Sequence, residues 1–240
     1  MMSAGISHPR SPLRVPTGVP MLYKTLSAAV YGIDANIIEV EVDVSGVKMN
    51  EDHFHTVGLP DAAVRESRDR VRSALKNCGY DIPPTQITIN LAPADIRKEG
   101  SGFDLPMALG ILGAYGGLNK KEIPDALFVG ELSLDGSLRG VRGALPIAIE
   151  ARRTKVKRLI VPEVNAREAA MVGGVEVTPL SHCSKSFITS IPATAFPGYR
   201  STPINCLARR SNSMWISKTF AASKPPSAPS KSHAPEGTTF

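Results

Sequence analysis

Lys98-Glu-Gly-Ser-Gly-Phe-Asp-Leu-Pro-Met-Ala-Leu-Gly-Ile-Leu-Gly113 passes from a charged, glycine-rich turn into an apolar run without a break. Such a junction presents backbone N–H groups at a helix N-terminus, a place where chemistry is often done. Asp104 is expected to cap the helix and Pro106 to fit its first turn, while Leu105, Ala108, Leu109 and Leu112 share one stripe at 3.6-residue spacing. The spacing predicts a buried helix. Lys98, Glu99, Gly100, Ser101, Gly102 and Asp104 form the candidate structural or interaction loop, its glycines supplying dihedral freedom or close approach.

Upstream, residues 23–31 and 36–45 alternate, with Ile38, Val40, Val42 and Val44 on one face and Glu39, Glu41 and Asp43 on the other. This predicts a half-exposed antiparallel pair joined at residues 32–34, with a third strand near 54–57. Residues 58–79 announce a helix: Asp61 caps it, Val64, Arg68, Val71 and Leu75 follow at helical spacing, and Gly79 stops it. Arg65, Arg68, Arg70 and Arg72, interleaved with Glu66 and Asp69, make up a solvated face with local ion pairs. Arg65, Arg68 and Arg72 on it are the candidate interaction helix. Residues 86–91 read as a strand leading to the glycine turn. Downstream come a strand at 126–131, a hairpin turned at Asp135-Gly136, a helix at 144–153, a strand at 158–161, a short helix at 164–172 and a last strand at 175–178. Strands and helices alternate without a simple βαβ repeat, so the class is mixed α+β.

Charge is unevenly placed. Of 28 Lys/Arg and 22 Asp/Glu, residues 1–180 hold 21 of each, so the net +6 belongs to the tail. A global basic-protein argument for nucleic acid therefore fails. Cys78, Cys183 and Cys206 are odd in number and far apart, which favours neither a disulfide framework nor a zinc site and points to a reducing, cytoplasmic setting. No apolar run reaches the length of a membrane span, and no signal-like segment opens the chain. Residues 1–20 and 181–240 are rich in Pro and Ser without periodicity and are expected to be disordered, leaving one folded domain at 21–180.

Four blocks carry a family likeness: Val57-Gly-Leu-Pro-Asp-Ala-Ala-Val-Arg-Glu-Ser-Arg-Asp-Arg-Val-Arg72, Ile89-Asn-Leu-Ala-Pro-Ala-Asp95, Lys98-Glu-Gly-Ser-Gly-Phe-Asp-Leu-Pro106 and Gly130-Glu-Leu-Ser-Leu-Asp-Gly136. In order and content they resemble the N-terminal domain of the YifB/ComM family of magnesium-chelatase-like AAA+ ATPases. That domain is similar in turn to the peptidase domain of Lon, so the resemblance implies a Lon-like mixed sheet packed with helices. Lon-type peptidases use a Ser nucleophile activated by a Lys held neutral. Laid against that pattern, the serine position falls on Gly102 and the lysine position on Leu145. Ser101 is one residue early, and Lys155 and Lys157 lie beyond the helix that should carry the base.

The resemblance also implies an AAA+ module, yet Gly-x-x-x-x-Gly-Lys-(Ser/Thr) occurs nowhere in the 240 residues. ATP and Mg would belong to that missing module, and no cofactor or metal is expected in this chain. Residues 215–240 can be back-translated so that a shifted frame encodes Asp-Phe-Glu-Asp-Val-Arg-Gly-Gln-Gln-Ala-Ala-Lys-Arg-Ala-Leu-Glu-Val-Ala, which resembles the family's entry into its ATPase module. A frameshift near 180–184 follows as an expectation.

The resemblance thus implies a non-catalytic N-terminal domain severed from its motor, serving homo-oligomer assembly or a DNA or protein partner, with no membrane association. In the ComM branch that partner role belongs to branch migration during transformation. A serine peptidase with a rearranged dyad and a vestigial inactive fragment are the alternatives. The sequence does not separate a chelatase role from a DNA role.

Overall fold

The computed structural model describes residues 21–48, 50, 53–118 and 125–183. The expectations for residues 1–20 and for the shifted frame of the tail lie outside them. Strands β1 (Met21–Tyr31) and β2 (Asp34–Lys48) form a long antiparallel hairpin with Tyr31 opposite Asp34. Alternation decides its faces: Ile38, Val40, Val42 and Val44 are buried while Glu39 and Asp43 are exposed. β3 (His53–Val57) runs parallel to β4 (Thr85–Ala92), and β4 pairs antiparallel with β2. On the other side of β1 lie β5 (Ala126–Phe128), β8 (Arg158–Pro162) and β9 (Glu176–Leu180), each parallel to its neighbour. The order β3-β4-β2-β1-β5-β8-β9 makes one mixed seven-stranded sheet among the described residues. A mixed sheet with helices on both faces and no simple βαβ repeat is consistent with the expected α+β class.

Helices α1 (Ala62–Asn77) and α2 (Asp104–Ala114) lie on one face, where their buried side chains join those of β2 and β4 in the larger core. α3 (Ala144–Arg153) and α4 (Ala166–Ala170), the latter entered through a 3-10 turn at Glu163–Asn165, cover the other face, α3 against β2, β1 and β8 and α4 against β9. α2 is the centre of the molecule, for every residue from Asp104 to Ala114 is buried. Periodicity implied one buried stripe, but a helix that is apolar all round has no face to give to water.

Two elements depart from the sequence reading. The strand expected at 126–131 breaks at Val129-Gly130, so that Glu131–Leu132 (β6) leaves the main sheet and pairs with Leu138–Arg139 (β7) as a small hairpin. The break is purposeful: Gly130 exchanges its backbone groups with the turn before α2, donating to Gly102 O at 2.9 Å and accepting from Leu105 N at 3.0 Å. Residues 181–183 are packed as well. Ser181 O accepts from Leu138 N at 2.8 Å, Cys183 N donates to Gly136 O at 2.8 Å, and Cys183 is buried in the larger core.

Candidate functional site

The glycine turn is stitched to the start of α1. Lys98 N donates to Leu59 O at 3.2 Å, and Asp61 N donates to Lys98 O at 3.0 Å. Asp61 caps α1 as its position predicted, accepting from Val64 N at 2.8 Å through one carboxylate oxygen. Its second oxygen accepts from Gly100 N at 3.2 Å, so one side chain holds both the helix and the turn. Gly100 has φ +84°, the left-handed backbone that glycine adopts without strain.

The charged residues of the turn are mostly spoken for inside the fold. The Lys98 side chain is fully buried, with Nζ donating to the Pro93 carbonyl. Burial pushes this lysine's pKa down, and Asp95 opposes the shift. Ser101 donates its hydroxyl to the Glu131 carboxylate of β6, which also lies 4.0 Å from Arg139. Glu99 alone faces solvent, paired with Arg97 at 3.0 Å.

Asp104 corrects the expected cap. The N-cap residue of α2 is Phe103, without a side-chain cap bond, and Asp104 is the first helical residue and wholly buried. Its carboxylate takes a two-pronged contact from Arg70, Nε at 2.8 Å and Nη2 at 3.1 Å, and a third bond from Leu132 N at 3.1 Å. Arg70 also donates to Ser67 Oγ at 3.0 Å and Ala63 O at 3.3 Å. Burial pushes the Asp104 carboxyl up, against the pull of Arg70, and the Arg70 guanidinium is raised by Asp104 in return. One ion pair thereby joins α1, α2 and the β6–β7 hairpin. Arg70 was read as part of the solvated face with Arg65, Arg68 and Arg72, and no local signal in α1 sets it apart. Arg65 and Arg68 are exposed, Arg68 bonding to Asp69 at 3.1 Å, and Arg72 is half-buried.

The dyad positions are apolar. A Cβ built on Gly102 would meet Val129 Cγ1 at 3.4 Å and Val141 Cγ1 at 3.7 Å. Gly102 is not among the residues with positive φ, so neither dihedral freedom nor a clash explains it, contrary to expectation. Leu145, in the first turn of α3, is partly exposed, and its N–H donates to Glu168 Oε1 at 3.0 Å. Asn165 brackets Val141 from below, accepting from its N and donating to its O, both at 2.9 Å. A groove of about 910 Å³ opens between the β1–β2 turn, residues 95–99 and α3, lined by Tyr31, Ile33, Asp95 and Ile149 among others. Ser101, Gly102 and Leu145 do not line it. No group of three or more metal-ligating side chains occurs among the described residues, and no helix there is long and apolar enough to cross a membrane.

An α+β domain with a glycine turn opening a buried helix defines the class: a scaffold similar to that of Lon. The family described as Subunit ChlI of Mg-chelatase matches residues 40–165. Competence protein ComM of Haemophilus influenzae is 45% identical over 146 residues, 61% of this chain and 28% of that protein. The uncharacterized protein YifB of Escherichia coli is 44% identical over 150 residues, 61% of this chain and 28% of that protein. Lon protease 2 of Bacillus subtilis is 25% identical over 165 residues, 62% of this chain and 29% of that protein. The chain belongs to the magnesium-chelatase-like YifB/ComM family. It spans under a third of the length of the curated relatives it matches.

Proposed function

We propose that this chain is a non-catalytic domain of a magnesium-chelatase-like ATPase, the part that assembles the protein or engages its partner while the motor lies in a separate module. One observation carries the reading: at the positions where the likeness to a Lon-type peptidase places serine and lysine, this chain has Gly102 in the turn and Leu145 in α3, and Val129 and Val141 methyls face the space a side chain at 102 would fill. The printed name of the Haemophilus relative, a competence protein, supports a role in DNA processing during transformation. Arg65 and Arg68, exposed on α1, offer a partner positive charge.

One observation favours the second reading, a peptidase with a rearranged dyad. Lys98 is buried and its pKa is lowered, which is what a lysine base requires. Its Nζ bonds to Pro93 O, however, and the Ser101 hydroxyl goes to Glu131. The two side chains do not meet. Hydrolysis of an unstructured peptide substrate by the intact chain and by Ser101→Ala tests both readings. The proposal expects no turnover from either protein; turnover that disappears with Ser101 would establish the peptidase instead.

A further inference from the structure

Alternation along β3 sets two histidines on one face. In His53-Phe54-His55 the middle side chain turns inward and packs against the larger core, so both imidazoles stand on the outer face of the sheet and are exposed. Residues two apart on a strand are separated by roughly 6.6–6.8 Å along it. The two ring centroids are 6.4 Å apart and their planes only 20° from parallel, so the rings stand side by side rather than splayed. In-register pairing with β4 fixes the spacing, with His53 opposite Gln86 and His55 opposite Thr88.

Both rings being exposed, neither contributes to the packing of the core. What they offer is chemistry. Imidazole nitrogen is a ligand for nickel, copper and zinc, and two of them carried by one strand make a chelate: once the first holds an ion, the second acts at a high effective concentration. The extended backbone has already fixed where both side chains start. Rotation of the two exposed side chains about their own bonds turns one nitrogen of each ring into the gap, at about 2.0–2.1 Å from a shared ion. The local field favours a cation as well. Thr88 lies opposite both His55 and the exposed Asp43 of β2, which places that carboxylate on the same face, roughly 10 Å across the sheet from the pair.

We propose that His53 and His55 form a two-legged site for a divalent ion of the nickel–copper–zinc group. Two protein ligands are fewer than the four of a closed structural zinc site, so the ion keeps positions open to water or to a ligand from outside, and its binding is reversible.

Calorimetric titration of the intact chain with nickel(II) chloride tests the site, at mildly alkaline pH where an unperturbed imidazole is neutral. One ion is expected to bind at the pair. His53→Ala and His55→Ala should each weaken that binding about tenfold or more, and the double variant hardly further, because a chelate fails when either leg is lost. His8, His182 and His233 are present in every variant, so the differences report on the pair alone. Excess nickel should also raise the melting temperature of the wild-type chain and not of the double variant, since the spacing of the rings exists only in the folded strand. Melts without metal check folding, with His53→Gln and His55→Gln replacing an alanine variant that melts early. A wild-type chain that binds nickel no more tightly than the double variant overturns the proposal. So do single variants that lose half the capacity at unchanged affinity, the behaviour of two independent imidazoles.

Discussion

Asp104 and Arg70 decide how the buried centre is held. A carboxylate with no exposure is costly unless it is paired and its remaining lone pairs are bonded, and here Arg70 and Leu132 N meet that condition. Arg70→Leu strands the carboxylate and should cost about 3–5 kcal/mol at neutral pH. The pH dependence of that loss has a definite sign. Burial already raises the folded-state pKa of Asp104, and removing the guanidinium raises it further. A raised acid binds its proton more readily in the folded state, so the variant is least impaired below the unfolded value of about 3.9 and loses stability as pH rises through the folded one. Denaturant midpoints across pH check this; a deficit that deepens toward acid would contradict it. The glycines of the turn make a second residue-scale prediction. Gly100→Ala forces a side chain into the left-handed region and should cost about 1–2 kcal/mol. Gly102→Ala meets only ordinary contacts and should stay within roughly 0.5 kcal/mol. Equal costs in chemical denaturation would show that the turn is shaped by something else.

α2 earns its central place by close approach. A Cβ on Gly113 would lie 2.5 Å from the Tyr23 ring, and one on Gly110 2.5 Å from Val42 Cγ2. Gly113→Ala improves helix propensity by about 1 kcal/mol, yet overpacking against β1 should cost about 1–3 kcal/mol. A net loss of thermal stability is expected, and a gain would mean that β1 and α2 are loosely apposed. How legible each element was follows from how local its cause is. The β1–β2 hairpin announces itself by alternation, α1 by Asp61 and Gly79, and α3 over the residues it occupies, because those signals lie within a few residues of what they specify. Gly79 does close α1, with φ +85° and bonds from Gly79 N to Lys76 O and from Tyr80 N to Leu75 O. The roles of Arg70, Lys98 and Asp104 were not legible. Arg70 and Asp104 are 34 positions apart, and their pairing exists only once α1 lies on α2. The sequence around Lys98 reads as an exposed turn, and burial of its side chain follows from the pairing of Lys98 with Leu59 and Asp61. The exit of β6 from the main sheet has a similar non-local cause, the exchange between Gly130 and the glycine turn.

At the scale of the molecule, fold and family agree. The scaffold has the turn, the buried helix and the small hairpin, with Gly102 and Leu145 at the two positions to which the likeness assigns the peptidase's serine and lysine. The phosphate-binding glycine loop and its lysine are absent from the 240 residues. Calorimetric titration with Mg·ATP should therefore show no saturable binding, since no backbone cradle or lysine is there to hold the phosphates. In the proposed function Ser101 is a structural hydroxyl bonded to Glu131 rather than an activated nucleophile. A fluorophosphonate probe, incubated with the intact chain and followed by mass spectrometry of its peptides, tests that claim directly. Ser101 is expected to remain unmodified at concentrations that label an active serine hydrolase to completion; stoichiometric labelling at Ser101 would contradict its structural role.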